Sequence, residues 1–268
     1  MDFNTISLKK EAGIAMITLN RPERLNAVNT TVNKEMIAAL ADIKQDSSAR
    51  VLVLTGKGRA FCAGGDFKGD KDSIFKSEEW PQPKNFIKEY RSLIQPSLME
   101  LQSLDIPTIA MVNGLAYGIG FDFALACDIR IGSPNARFCA AWIRRGITTA
   151  GGTTWFLPRI VGVGKAAEII FMGREVSAEE AERLGILNKL VPADRLEAVT
   201  MEWANHLARS APMALRLSKL NLYRGLELDL PAALDMLATS QCIAFTTDDY
   251  KEATRAFREK REPVFKGT

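Results

Sequence analysis

Histidine is almost missing from this chain of 268 residues; His206 is the only one. It sits inside a helical pattern, EWANHLARSA, and reads as a surface or packing residue. One imidazole excludes a His-rich metal centre and leaves a Ser–His–Asp relay without support. Cysteine is also sparse. Cys62, Cys127, Cys139 and Cys242 lie far apart with no metal-ligand spacing, and read as free thiols of a cytosolic protein. No apolar run approaches the ~20 residues of a membrane helix. The N-terminal run MDFNTISLKKEAG lacks an apolar core and an Arg-rich pattern, so a cytoplasmic setting is expected. Charge of one sign is not in excess: 35 basic residues face 32 acidic ones, a net +3, which argues against nucleic acid as the main partner. Dinucleotide and triphosphate fingerprints are absent too. Gly118-x-Gly120 lacks the third glycine and falls mid-chain, Gly162-x-Gly164 is no better, and there is no Walker A run. No metal and no resident cofactor are expected.

What is present is an ordinary globular composition, 47% hydrophobic and 25% charged, enough for a sizeable core. The length suits one large domain, or one domain with an appendage. Ile14 to Asn20 alternates as a strand and Arg21-Pro22 stops it. Asn29-Thr30 opens a helical pattern through Ile43 with Val32, Met36, Ala39, Leu40 and Ile43 on its apolar face. Val51 to Thr55 is a short, fully apolar strand. The polar segment Lys68 to Lys88 reads as a mobile loop, with Trp80-Pro81-Gln82-Pro83 breaking any helix. A helix is expected from about Phe86 to Ser103, and strands at Thr108 to Val112, Cys127 to Ile131 and Arg137 to Ala141. Gly146 to Thr153 is a Gly-rich loop. Helices are expected at Gly164 to Met172, Ala178 to Leu184 and Leu196 to Ser210. From Ala211 to Arg261 the chain is nearly all helical, with breaks at Gly225 and Pro231. Alternating strands and helices favour an α/β fold with parallel pairing. The change in composition near residue 200 divides the chain into a core, 1–200, and a helical region, 201–268.

Two glycine-rich elements carry the chemistry. In AMVNGLAYGIGFDFALACDIRI, Ala110 to Ile131, a strand turns at Asn113-Gly114, and Gly118 and Gly120 flank Ile119 ahead of an apolar helix. A helix start has unpaired N–H groups and the positive end of the dipole, and glycines remove the side chains that would shield them. Asp122 falls in the first turn. This stretch can present an amide to a developing oxyanion, with a carboxylate one turn away; it reads equally as a Gly-rich turn into a core helix. The second element, RAFCAGGDFK, Arg59 to Lys68, follows the strand VLVLT and holds Gly64-Gly65. Two main-chain donors aimed at one oxygen stabilise charge as it develops, and losing one costs roughly 10²–10³ in rate. Arg59 and Lys68 suit phosphates, or are solvated surface charges.

The runs NRPERLNA (Asn20 to Ala27), RAFCAGGD (Arg59 to Asp66), VNGLAYGIGFDFALACDIRI (Val112 to Ile131), AGGT (Ala150 to Thr153), LPRIVG (Leu157 to Gly162) and AFREKR (Ala256 to Arg261) are together highly specific. They resemble the enoyl-CoA hydratase/isomerase superfamily, also called the crotonase family, nearly end to end. The resemblance implies a crotonase-like spiral of ββα units with a C-terminal helical trimerisation region, and a homotrimer or hexamer. It implies an acyl-CoA substrate whose coenzyme A is part of the substrate, with a thioester carbonyl polarised by the N–H groups of Gly65 and Ile119. Coenzyme A binding then maps to Arg24, Leu25, Ala27, Ala63, Asp66 and Phe67, with Lys68 at a phosphate. Phe257 and Lys260 would reach the coenzyme A of a neighbouring subunit; the alternative is simply a basic C-terminal helix.

The chain departs from that pattern at its acids. Hydratases of the family hold water between two glutamates; the first position is Asp122 here and the second is Trp142. A further position used by some isomerases falls on Thr149 or Ala150, neither ionisable. Asp at position 122 resembles the dienoyl-CoA isomerase branch, whose other acids are missing. Trp142 and Tyr117 are assigned to the substrate pocket, where Trp142 would exclude water, raise the pKa of Asp122, or stack on a cyclic acyl group. Hydration needs a base for water and an acid for carbon, whereas a double-bond shift needs one group that lifts a proton and returns it elsewhere. Isomerisation is therefore expected ahead of hydration. Thioester or C–C hydrolysis by water near Asp122, and acyl-CoA binding without catalysis, are the alternatives.

Overall fold

The computed structural model describes residues 2–67, 87–88, 90–149 and 151–268. Two sheets organise it. The first has six strands: β1 (Ile6–Glu11), β2 (Ile14–Leu19), β3 (Val51–Gly56), β5 (Thr108–Val112), β7 (Ile129–Gly132) and β10 (Lys189–Leu190), side by side in that order. The second has four, ordered β4 (Ala60–Cys62), β6 (Leu115–Tyr117), β8 (Arg137–Cys139) and β9 (Glu175–Ser177). After β2, the chain puts one strand in the first sheet, the next in the second, then a helix. β3 and β4 are followed by α2 (Gln95–Gln102), β5 and β6 by α3 (Ile119–Ala126), and β7 and β8 by α4 (Thr153–Val161). The fold is thus the α/β spiral of ββα units that the resemblance implies. Pairing is parallel except at two edges, β1 with β2 and β8 with β9.

Local sequence explains the main elements. Asn29 caps α1 (Thr30–Gln45): its side-chain oxygen accepts the Val32 N–H at 2.9 Å. The buried face of α1 holds Val32, Met36, Ala39, Leu40 and Ile43, as the periodicity requires. β3 is apolar throughout because both its faces are covered. Leu52 and Leu54 enter the core shared with α1 and α3; Val51 and Val53 face Leu196, Val199 and Ala204 of α7 (Leu196–Arg209).

Several elements escape the sequence reading. β1 is an edge strand with a charged outer face, and β6 has three residues, too few for a period. α4 carries Pro158 inside it, which hides the helix. The helix expected from about Phe86 to Ser103 is present in the described residues, 87–88 being helical and a π-helical turn, Tyr90–Ile94, leading into α2. The segment expected as a mobile loop lies outside the described residues apart from 87–88. Helices α5 (Val163–Met172) and α6 (Ala178–Arg183) fall where expected. Residue 200 lies inside α7, which packs on the first sheet on both sides of that point; the exposed helices begin at Pro212.

Those helices are α8 (Pro212–Gly225), α9 (Leu230–Thr246) and α10 (Asp248–Glu259). They expose Leu222, Leu230, Leu234 and Phe257 to solvent in the single chain. One polar knot ties α8 to the sheet. The Asp128 carboxylate accepts from the Thr108 N–H (2.7 Å), Lys219 Nζ (2.7 Å) and the Tyr223 hydroxyl (2.7 Å). Replacing Asp128 with Ala strands a mostly buried lysine. We expect a loss of about 3 kcal/mol in unfolding free energy. Hydrogen exchange should show residues 212–225 opening first; unchanged protection there contradicts the role given to the knot.

Candidate active site

β4 and β6 are parallel neighbours, with Cys62 opposite Ala116. β6 runs directly into Gly118 and β4 into Ala63 and then Gly64, and the two exits touch main chain to main chain. A Cβ on Gly64 would lie 2.9 Å from the Tyr117 carbonyl oxygen, and one on Gly120 would lie 2.3 Å from that of Cys62. Gly118, at φ +51°, turns the chain from β6 into α3; its N–H donates to the Cys139 carbonyl at 3.0 Å.

This geometry leaves two amides unused. Residue 119 is the first of α3, so its N–H has no partner within the helix. The Gly64 carbonyl accepts from Val28 N–H at 2.7 Å and the Asp66 N–H donates to the Val28 carbonyl at 2.9 Å, so the Gly65 N–H stands on the edge away from Val28. Among the described residues neither the Gly65 nor the Ile119 N–H has an acceptor.

The residues mapped to coenzyme A gather on the Val28 side. Arg21 and Arg24 donate to the buried Asp66 carboxylate at 2.9 and 3.0 Å. The Ala63 N–H donates to the Leu25 carbonyl at 2.9 Å, and Arg21 also donates to the Ala27 carbonyl at 2.5 Å. Leu25 and Asn26 take left-handed backbone, φ +52° and +57°, held by Asn26 donating to the Ala60 carbonyl at 2.8 Å. Asp66 therefore holds two arginines in place. Phe67 lies under the Arg145 guanidinium, 4.4 Å from the ring centre. Lys68 lies outside the described residues. Phe257, 86% exposed, and Lys260 stand at the end of α10. No ring contact or hydrogen bond among the described residues joins them to this cluster.

Asp122 is fully buried, as is all of α3. Its Oδ1 accepts from the Thr153 N–H at 2.8 Å and the Thr153 hydroxyl at 2.5 Å. Its Oδ2 is buried without a partner. Burial pushes the carboxyl up to about 7, against the opposing pull of the two Thr153 bonds. Cys62 and Tyr90 lie within reach of that charge; burial above all pushes both up to about 12, and Asp122 adds to the rise.

Trp142 is buried with its indole against Gly118, 3.3 Å from where a Cβ would stand there, and its Nε1 has no partner. It is therefore next to the start of α3. The Tyr117 hydroxyl is directed to Glu175 on β9. Gly151 and Gly152 line a cavity of about 280 Å³ with Leu98, Met99, Trp155 and Phe156. No cluster of three His, Cys, Asp or Glu occurs among the described residues.

The sequence reading named Gly65, Ile119 and Asp122 and did not single out Thr153, Tyr90 or Arg145. Gly151-Gly152-Thr153 ahead of an apolar run was the available signal for a helix start.

A family model described as Enoyl-CoA hydratase/isomerase matches residues 9–268. The short-chain-enoyl-CoA hydratase of Clostridium acetobutylicum is 38% identical over 265 residues, covering 98% of this chain and 97% of its own. The 1,2-epoxyphenylacetyl-CoA isomerase of Escherichia coli is 34% identical over 257 residues, 96% of each chain. The crystal structure of an enoyl-CoA hydratase from Bacillus anthracis superposes with a TM-score of 0.90 at 34% identity, covering 99% of this chain and 100% of that one.

The raised pKa has a stability consequence. A carboxyl at about 7 in the folded chain, against 3.8 for an ordinary aspartate, binds its proton more tightly when folded. Its contribution is fully present below the unfolded value and is lost as pH rises through 7. Asp122→Asn never ionises, so its Tm relative to the parent should rise between about pH 5 and about pH 8. A difference that stays flat across that range contradicts the assignment.

Proposed function

The chain belongs to the enoyl-CoA hydratase/isomerase family, and within it we propose that this enzyme shifts the double bond of an enoyl-CoA thioester. One observation carries the reading: a single buried carboxylate with an unpartnered oxygen lies one turn into the helix that opens with the free Ile119 N–H. The thioester carbonyl oxygen accepts from the N–H groups of Gly65 and Ile119. Ionised Asp122 takes a proton from C2 of a 3-enoyl-CoA through Oδ2. The C–H electron pair moves toward the carbonyl oxygen, giving a dienolate held by the two amides. The same proton returns to C4, the double bond closes between C2 and C3, and the carboxylate is restored. Trp142 against Gly118 keeps water from the dienolate.

The coenzyme A lies along Arg24, Leu25, Ala27, Ala63, Asp66 and Phe67, with Arg145 over Phe67 and Lys68 following in sequence. Phe257 and Lys260 serve a neighbouring subunit of a trimer or hexamer, an assembly favoured by the exposed leucines of α8 and α9. No described helix is long and apolar enough to cross a membrane. A cytoplasmic setting accords with four free cysteines.

A second reading is hydration, favoured by the hydratase names of the most similar relatives. It requires a second proton-transfer group, and Tyr90 is the hydroxyl that feels the charge of Asp122. Purified enzyme assayed with crotonyl-CoA, a 3-enoyl-CoA and a cyclic enoyl-CoA separates the two. We expect the 3-enoyl substrate to be converted fastest, α-proton exchange in heavy water, and a loss of about 10²–10⁴ in Asp122→Asn. Fast hydration of crotonyl-CoA with no conversion of the 3-enoyl substrate overturns the first reading. Full turnover in Asp122→Asn removes Asp122 from both, and acyl-CoA binding without turnover leaves a binding protein.

A further inference from the structure

We propose that Thr153 is a positioning residue for Asp122: it fixes one carboxylate oxygen so that the other, opposite Gly151, is the atom that carries the proton. The proposal rests on Asp122 being the proton-transferring group. Thr153 is fully buried at the first position of α4, where its N–H has no helical acceptor. Gly152 before it has no side chain to cap the helix, so the cap comes from Asp122 of α3. Both Thr153 donors fall on Oδ1, at 2.8 and 2.5 Å.

Two donors on one oxygen make the carboxyl group asymmetric. They stop rotation about the Cβ–Cγ bond and draw negative charge to Oδ1. An oxygen that already accepts twice is a poor place for an incoming proton, which therefore goes to Oδ2. That oxygen is buried and has no partner. It points at Gly151, where a Cβ would stand 2.2 Å away and also 3.0 Å from Leu98 at the cavity wall. Gly151 is also one of the residues that line the cavity beside Leu98.

Among the described residues, the other titratable groups that feel the charge of Asp122 are Cys62 at the end of β4 and Tyr90 in the π-helical turn, both neutral near pH 7 because burial pushes them up to about 12. Neither supplies positive charge, so the Thr153 donors are what restrain the carboxyl against burial. A threonine that merely fills space would not act on a titration.

The test compares Thr153→Val with Thr153→Ser in the full-length enzyme. Two readouts are used: the pH profile of kcat/KM for a 3-enoyl-CoA, and the protonated-carboxyl infrared band assigned by its absence in Asp122→Asn. We expect Thr153→Val to move both midpoints upward by about one unit. Turnover below the midpoint should fall about tenfold, and Thr153→Ser should restore both. Gly151→Ala should lower both turnover and Tm, because its added methyl meets Oδ2 in a buried site and forces the carboxyl aside. An unmoved infrared midpoint in folded Thr153→Val overturns the proposal, as does a serine variant that behaves like valine. A shifted infrared band in an enzyme whose Asp122→Asn form is fully active keeps the contact but overturns the catalytic reading of Asp122.

Discussion

The arrangement depends on bare main chain touching main chain. The ends of β4 and β6 come together at Gly64 and Gly120 with no side chain between them. A methyl group at either place would displace the other segment. Because the strands are parallel neighbours, their exits lie at one end of one sheet, and the chain reaches it twice, one ββα turn apart. The spiral thus brings the two glycine-bearing exits to one end of the sheet.

Around that point each group is held by another element. The Gly65 loop is pinned by Val28, and the loop before Val28 by Asn26 and the Arg21–Asp66–Arg24 ion pairs. α3 is pinned by its burial, and its acid by the start of α4. An ionisable group buried to the last atom is a costly thing to keep, and Asp122 is kept with only Thr153 donating to it among the described residues.

Much of this was legible in the sequence because it is local. The apolar face of α1, the Asn29 cap and the two-sided apolar strand β3 follow from periodicity and burial. Gly64-Gly65 and Gly118-x-Gly120 each announce main chain without side chains around it. What was not legible is relational. Nothing in LAY says that it is a strand, because β6 exists only through its neighbours β4 and β8. Pro158 disguises α4, and with it the contact from Thr153 to Asp122 across 31 positions. Tyr90 comes to the acid only through a π-helical turn. Phe257 and Lys260 stand at the exposed end of α10, and nothing local in AFREKR says what they meet.

The central claim is that the amides of Gly65 and Ile119 both donate to one thioester oxygen. Isotope-edited infrared spectroscopy of an acyl-CoA labelled with carbon-13 at the thioester carbonyl reads this directly. Two donors weaken the C=O bond, so the band of the bound ligand should move to clearly lower frequency than in water. A band at or above its frequency in water would mean the carbonyl lies elsewhere, and the account would be wrong at its base.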